Sequence, residues 1–190
     1  PDMMYCEVLV GGEKLILAEE ALERTLQDEK HQPLDYDVLR KFPGSELVGK
    51  TYQPLDTGSN WPENDKIHAI YAADFVSHES GTGIVHIAPA YGEDDFELGK
   101  ANGIAPFHVI DDNGYYIDSL YKGLEVWDNN KFIAKDLKEK SAVWKIEYIR
   151  HEYPFNPRSK QRIMYRAIPS WFFAIQGQKP LMLDENEHIN

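Results

Sequence analysis

At 190 residues, with 42% hydrophobic and 12% aromatic content, the chain can bury the core of one sizeable domain, which excludes wholesale disorder. No apolar run approaches the roughly 18 residues of a membrane span, no secretory leader opens the sequence, and the lone Cys6 excludes an internal disulfide framework, so a reducing, cytoplasmic setting is expected. The net charge of −12 argues against a protein that grips nucleic acid by its overall field, because phosphate binding rests on Lys and Arg.

Residues Tyr5 to Val10, the Gly11-Gly12 pair and Lys14 to Leu17 predict a hairpin around a glycine turn. Glu19 to Gln27 has Ala21, Leu22 and Leu26 at helical spacing. Asp28 to Glu46 is polar and broken by Pro33 and Pro43, with Tyr36 to Leu39 a candidate for one more helical turn. Thr51 to Pro62 is loop-like in its Pro, Gly, Ser and Asn content. Ile67 to Val76 and Gly83 to Ala88 are expected to be strands, the second ended by Pro89. Gly92 to Asn102 is expected to be a helix, with Glu93, Asp94 and Asp95 in its first turn and Gly103 as its left-handed stop. Phe107 to Ile110, the Asp111–Gly114 turn and Tyr115 to Ile117 suggest a second hairpin. A helix is expected over Asp128 to Lys140, capped by Asp128. Strand-like runs follow at Val143 to Ile149, Arg162 to Ala167 and Trp171 to Ile175. Many short strands, few helices and no regular strand–helix alternation predict a mainly β, barrel-like core with helical insertions.

Charge is uneven along this chain. From Arg150 to Arg166, five basic residues (Arg150, Arg158, Lys160, Arg162, Arg166) face one acid, Glu152, a local excess of +4 that leaves −16 elsewhere. A small basic strip on an acidic body suits a module that receives nucleic acid held mainly by something else; an ordinary solvated surface explains the charges equally well.

The stretch Gly81-Thr-Gly-Ile-Val-His86-Ile-Ala-Pro-Ala-Tyr-Gly-Glu-Asp-Asp95-Phe96 concentrates the chemistry. Strand alternation would send Ile84, His86 and Ala88 to one face, and the turn at Pro89 and Gly92 would bring His86 and Asp95 to one cleft. An imidazole and a carboxylate at one mouth can bind an amine and orient a water. The bland reading is that a strand histidine satisfies structure and that a first-turn aspartate favours the helix dipole. Gly-Thr-Gly is too short for a phosphate loop and precedes a strand rather than a helix. His86, Asp94 and Asp95 lack a recognised ligand spacing and a second histidine, so no metal is expected.

The same stretch resembles the signature of the editing domain inserted into class I aminoacyl-tRNA synthetases for isoleucine, valine and leucine. His86 and Ala90-Tyr91-Gly92 resemble the isoleucyl form; the valyl form has a lysine at the His86 place, the leucyl form a methionine, and both continue Pro-Ala-His-Asp. About eighty residues on, Tyr165-Arg-Ala-Ile-Pro-Ser-Trp171-Phe resembles the run back toward the catalytic domain. The resemblance implies an editing domain over residues 1–180 and the start of the return over 181–190. It implies hydrolysis of valine wrongly esterified to the tRNA for isoleucine, with Asp95 holding the α-ammonium and His86 lining the side-chain pocket. Gly81, Thr82 and Gly83 would wall that pocket, with Ala90 and Tyr91 beside it, and Arg158, Lys160 and Arg162 would meet the tRNA acceptor end. The remainder of the synthetase chain is the other implied partner. No cofactor is implied in this domain; ATP and magnesium serve the parent enzyme's aminoacylation. Two features depart from the family. Its threonine-rich peptide, which lines the other side of the pocket, is not in this sequence, so weak or absent activity is expected of the segment alone. Tyr153-Pro-Phe-Asn-Pro-Arg158 stands where many members carry Cys-Trp-Arg, which implies no zinc.

Overall fold

The structure, a computed structural model, describes residues 2–64, 66–77, 81–148 and 152–189. Strands β1 (Met4–Val10) and β2 (Glu13–Ala18) form the expected hairpin, paired from Tyr5↔Ala18 to Val10↔Glu13. Gly11 and Gly12 make the turn at φ of 58° and 87°, a region side chains with a Cβ avoid. A 3₁₀ turn (Glu19–Ala21) and the one-turn helix α1 (Leu22–Thr25) take the place of the longer helix expected there, and they bury Ala21, Leu22 and Leu26.

Strand β3 (Tyr36–Pro43) completes a three-stranded antiparallel sheet in the order β2-β1-β3. This corrects the helical turn expected at Tyr36 to Leu39. The open edge of β1 supplies partners for it (Val8↔Val38, Leu9↔Asp37, Val10↔Tyr36), and that ladder outweighs local propensity. The register shifts between Glu7 and Val8, leaving Leu39 as a bulge residue. Tyr5, Cys6, Val8, Val10, Leu17 and Phe42 join Ala21, Leu22, Leu26 and Leu47 in the main core, against which Ile70 and Trp144 pack. Each fully buried leucine there contributes about 1.5–3 kcal/mol of transfer free energy.

The remaining chain is less regular than its sequence suggests. Among the described residues the sheet does not close into a barrel. Ile67–Val76 and Gly83–Ala88 run without strand ladders; 49–52 and 68–70 are joined by three backbone bonds (Gly49 N to Ile70 O, Ile70 N to Lys50 O, Tyr52 N to His68 O). The second hairpin is a single bridge, Ile110↔Tyr116, flanked by the bond from Ile117 N to Val109 O. Among the described residues of the last third only Phe155↔Arg162 is a bridge, and Ile149 of the expected strand there lies outside the described residues. Strand-forming side chains are present in these runs, but a strand also needs a partner edge, and sequence alone does not provide one.

Among the described residues three further helices follow: α2 (Glu93–Asn102), α3 (Val126–Glu139) and α4 (Ile175–Glu187). α2 ends at Gly103 with φ of 73°, as expected. α3 begins two residues before the predicted start, because Glu125 rather than Asp128 is its cap: the Glu125 carboxylate accepts the Asp128 amide at 2.6 Å. α4 buries none of its residues, and Trp171, Phe172 and Phe173 before it are exposed, where a strand was expected. Among the described residues no helix is long and apolar enough to cross a membrane.

Candidate functional site

The Gly81-Thr82-Gly83 peptide is fastened to α1 and the sheet by three consecutive carbonyls. Gly81 O accepts from Arg24 Nη2 at 2.7 Å and Nε at 3.2 Å, Thr82 O from Ala18 N at 2.8 Å, and Gly83 O from the Tyr5 hydroxyl at 2.6 Å. Glycine is required at position 83 on two counts: φ is +78°, and a Cβ there would lie 2.6 Å from the Ala18 Cβ. From this seam the chain runs outward through Ile84, Val85 and His86, all exposed, to the turn at Pro89 and Ala90.

The turn is held from below by α2. Gly92 caps that helix without a side-chain bond, and Asp95 at the third helical position reaches back so that Oδ2 accepts the Ala88 amide at 3.0 Å. Its carboxylate lies over Gly92, where an added Cβ would be 2.8 Å from Oδ2. The Tyr91 hydroxyl accepts two successive amides, Val109 N at 2.9 Å and Ile110 N at 3.1 Å, and its ring meets His108 edge-on at 5.8 Å. Ala90 is buried, and its carbonyl accepts the Ala167 amide at 2.9 Å.

These segments enclose a largely apolar cavity of about 870 Å³, walled by Gly83–Pro89 and Tyr91 on one side and by 66–74 and 104–110 on others. Gly83, His86 and Tyr91 line it, whereas Gly81, Thr82, Ala90 and Asp95 are not among its lining residues. Asp95 therefore stands one hydrogen bond behind the wall, reaching it through Ala88. Sequence reading missed a group of rings in the same cavity. Trp61 meets His68 edge-on at 5.1 Å and Phe107 at 5.7 Å, and Tyr52 meets His68 at 5.7 Å. The only signal was Trp61 and Tyr52 inside a stretch that otherwise has loop composition. Burial pushes the Tyr52 phenol up, and burial followed by the nearby Tyr91 and Glu125 does the same to Tyr116. No group of three or more His, Cys, Asp or Glu is placed to hold a metal among the described residues.

The basic strip is not one surface. Arg158 and Lys160 sit exposed on a tight turn in which Asn156 Oδ1 accepts the Arg158 and Ser159 amides at 2.9 and 3.0 Å. Arg162 lies over the Trp127 ring at 5.4 Å from its centroid, and Tyr153 packs edge-on against the same ring. Arg166 turns inward, donating from Nε to His108 Nδ1 at 3.3 Å and pairing with Asp112. Arg150 lies outside the described residues.

Comparison with known proteins gives a consistent picture. No family model matches the chain. It is 38% identical over 200 residues to the isoleucine–tRNA ligase of Corynebacterium diphtheriae, covering 100% of this chain and 18% of that protein. It is 39% identical over 197 residues to that of Methylacidiphilum infernorum (100% and 20%), and 36% identical over 191 residues to that of Picrophilus torridus (100% and 18%). The chain thus spans about a fifth of the length of the curated relatives it matches. A solved structure described as the crystal structure of GlLeuRS-CP1 shares its fold, with a TM-score of 0.57 and 18% identity, over 80% of this chain and 76% of that one.

Proposed function

The chain is a segment homologous to the isoleucine–tRNA ligases, with the fold of the editing insertion of class I synthetases, and from that premise we propose that its cleft hydrolyses the ester linking valine to the terminal ribose of the tRNA for isoleucine. The reading is supported above all by the motif residues: His86 faces the cleft, and Asp95 is bonded to Ala88 in the same wall. Such a site has a physical reason to exist. A single methylene separates valine from isoleucine and is worth only about 1–3 kcal/mol, a limit for which this pair of amino acids is the standard illustration, so a second sieve is needed.

In the proposed reaction water attacks the ester carbonyl, the bond from the acyl carbon to the ribose oxygen breaks, and free valine and uncharged tRNA leave. Asp95 has one oxygen on Ala88 N, which fixes the carboxylate; in this reading the other oxygen holds the substrate ammonium in a charge-assisted bond. His86 shapes the side-chain pocket against the extra methylene of isoleucine, and backbone groups polarise the carbonyl. No side chain is assigned as a nucleophile. Arg158, Lys160 and Arg162 meet the acceptor end, and ATP and magnesium belong to aminoacylation elsewhere in the parent enzyme. One observation favours a second reading, a module that binds the aminoacyl end without hydrolysing it: Asp95 is set behind the wall rather than in it. Asp95→Ala in a full-length isoleucine–tRNA ligase carrying this segment separates the two. Valyl-tRNA should accumulate, and unchanged deacylation sinks the hydrolytic role.

A further inference from the structure

We infer that Arg166 is a positioning residue of the cleft, acting through His108 and Tyr91, and not a member of the tRNA-facing strip its sequence neighbourhood suggests. The inference rests on the editing function proposed above. Its side chain is only 23% exposed, and both ends of its guanidinium are engaged, Nε donating to His108 Nδ1 at 3.3 Å and Nη1 pairing with Asp112. That donation requires Nδ1 of His108 to be the bare nitrogen, with the ring proton on Nε2. The same ring stands edge-on to Tyr91 at 5.8 Å with an interplanar angle of 87°. Tyr91 in turn accepts the Val109 and Ile110 amides, and all three residues line the cleft. One residue beyond Arg166, the Ala167 amide donates to Ala90 O.

Residues 166–167 therefore strap together the two walls, 83–91 and 104–110. Neither wall belongs to a strand, so no sheet ladder sets their spacing. The cross-links through Tyr91, His108, Arg166 and Ala167 do so instead. Lysine does not substitute for this arginine: a point ammonium keeps the charge but does not present two N–H groups in fixed directions to His108 and Asp112 together.

The test uses a full-length isoleucine–tRNA ligase carrying this segment, with Arg166→Lys, Arg166→Ala, Tyr91→Phe and the Lys/Phe double variant. Isoleucine charging serves as the check on folding, and Asp95→Ala as the reference for editing. Arg166→Lys is expected to lower kcat for valyl-tRNA deacylation about tenfold, with KM and its salt dependence unchanged. The double variant should be no slower than the worse single one, because both substitutions break one chain of interactions. Amide exchange over residues 107–111 should quicken in both Arg166 variants, a readout that does not require activity. Wild-type kcat, a raised KM with a shallower salt slope, or unaltered exchange each overturns the inference. If Asp95→Ala also leaves deacylation intact, the editing reading itself has failed; if only the Arg166 variants are silent, this inference alone has.

Discussion

Oδ2 of Asp95 accepts the backbone amide of Ala88 at 3.0 Å, four residues before the glycine that caps the helix carrying Asp95. One carboxylate thus joins α2 to the turn that follows His86, and it satisfies an amide that no strand ladder engages. Its structural and proposed chemical tasks fall on different oxygens, so the two are separable by mutation.

Asp95→Asn keeps an oxygen for Ala88 N but removes the charge. Its folding stability should stay within about 0.5 kcal/mol of the parent, whereas Asp95→Ala, which leaves the amide without its acceptor, should cost about 1–3 kcal/mol. In the full-length enzyme both should let valyl-tRNA accumulate. If the asparagine variant deacylates at the parental rate, the carboxylate does not hold the ammonium.

His86 lines the cavity and is exposed, so shortening it should widen the pocket without disturbing the core. His86→Ala is expected to make correctly charged isoleucyl-tRNA a substrate, narrowing discrimination by about tenfold or more, the worth of one methylene. Comparing deacylation of isoleucyl- and valyl-tRNA checks this, and an unchanged ratio removes His86 from the sieve.

Gly83→Ala should be among the more damaging single-methyl additions in the chain. The new Cβ would sit 2.6 Å from that of Ala18 at a φ of +78°, on the seam that joins the motif to the sheet. A loss of about 1–3 kcal/mol from overpacking, plus about 1–2 kcal/mol from the left-handed backbone, should appear in urea unfolding. Gly81→Ala, with open space around the added Cβ and φ of +65°, should show only the backbone part.

The pH limits of stability follow from Tyr121, Asp136 and Asp118. Burial, and then the bond to Asp136 at 2.8 Å, push the Tyr121 phenol up to about 12. A raised folded value means stability that is complete below the ordinary tyrosine value of about 10 and is lost as pH climbs toward 12. Lys140 at 2.7 Å and then Tyr121 hold Asp136 below the usual carboxylate range, and the Asn60 amide at 2.7 Å does the same for Asp118. Their contribution is complete above an unfolded value of about 3.9 and drains away as pH falls below it. Urea midpoints should therefore drop at both ends, and Tyr121→Phe should flatten the alkaline limb; the same alkaline loss in that variant would assign it elsewhere.

The divided basic strip predicts divided effects. Arg158→Ala and Lys160→Ala, on an exposed turn, should shallow the salt dependence of tRNA binding, by about 0.7–0.9 in the log–log slope for each phosphate no longer neutralised, without altering stability. Arg162→Ala should in addition loosen the turn from α3, because its guanidinium lies over Trp127. Salt titrations paired with thermal melts distinguish these, and equal behaviour of all three variants contradicts the division.

Much of this protein was legible in its sequence. The Gly11-Gly12 hairpin, the stop of α2 at Gly103 and the resemblance carried by Gly81 to Phe96 rest on neighbours within a few residues, where turn chemistry, helix period and motif spacing act directly. Tertiary structure decided what depends on distant partners. It made Tyr36 to Leu39 a strand by offering the edge of β1, and it left Ile67–Val76 without a ladder. It also set Asp95 behind the cleft wall, drew Trp61, His68 and Phe107 into one cavity, and turned Arg166 inward from its basic neighbours. Local sequence fixes the direction in which a backbone turns, but where a side chain ends depends on which remote segment packs against it, and that is set by the whole chain's burial and hydrogen bonding.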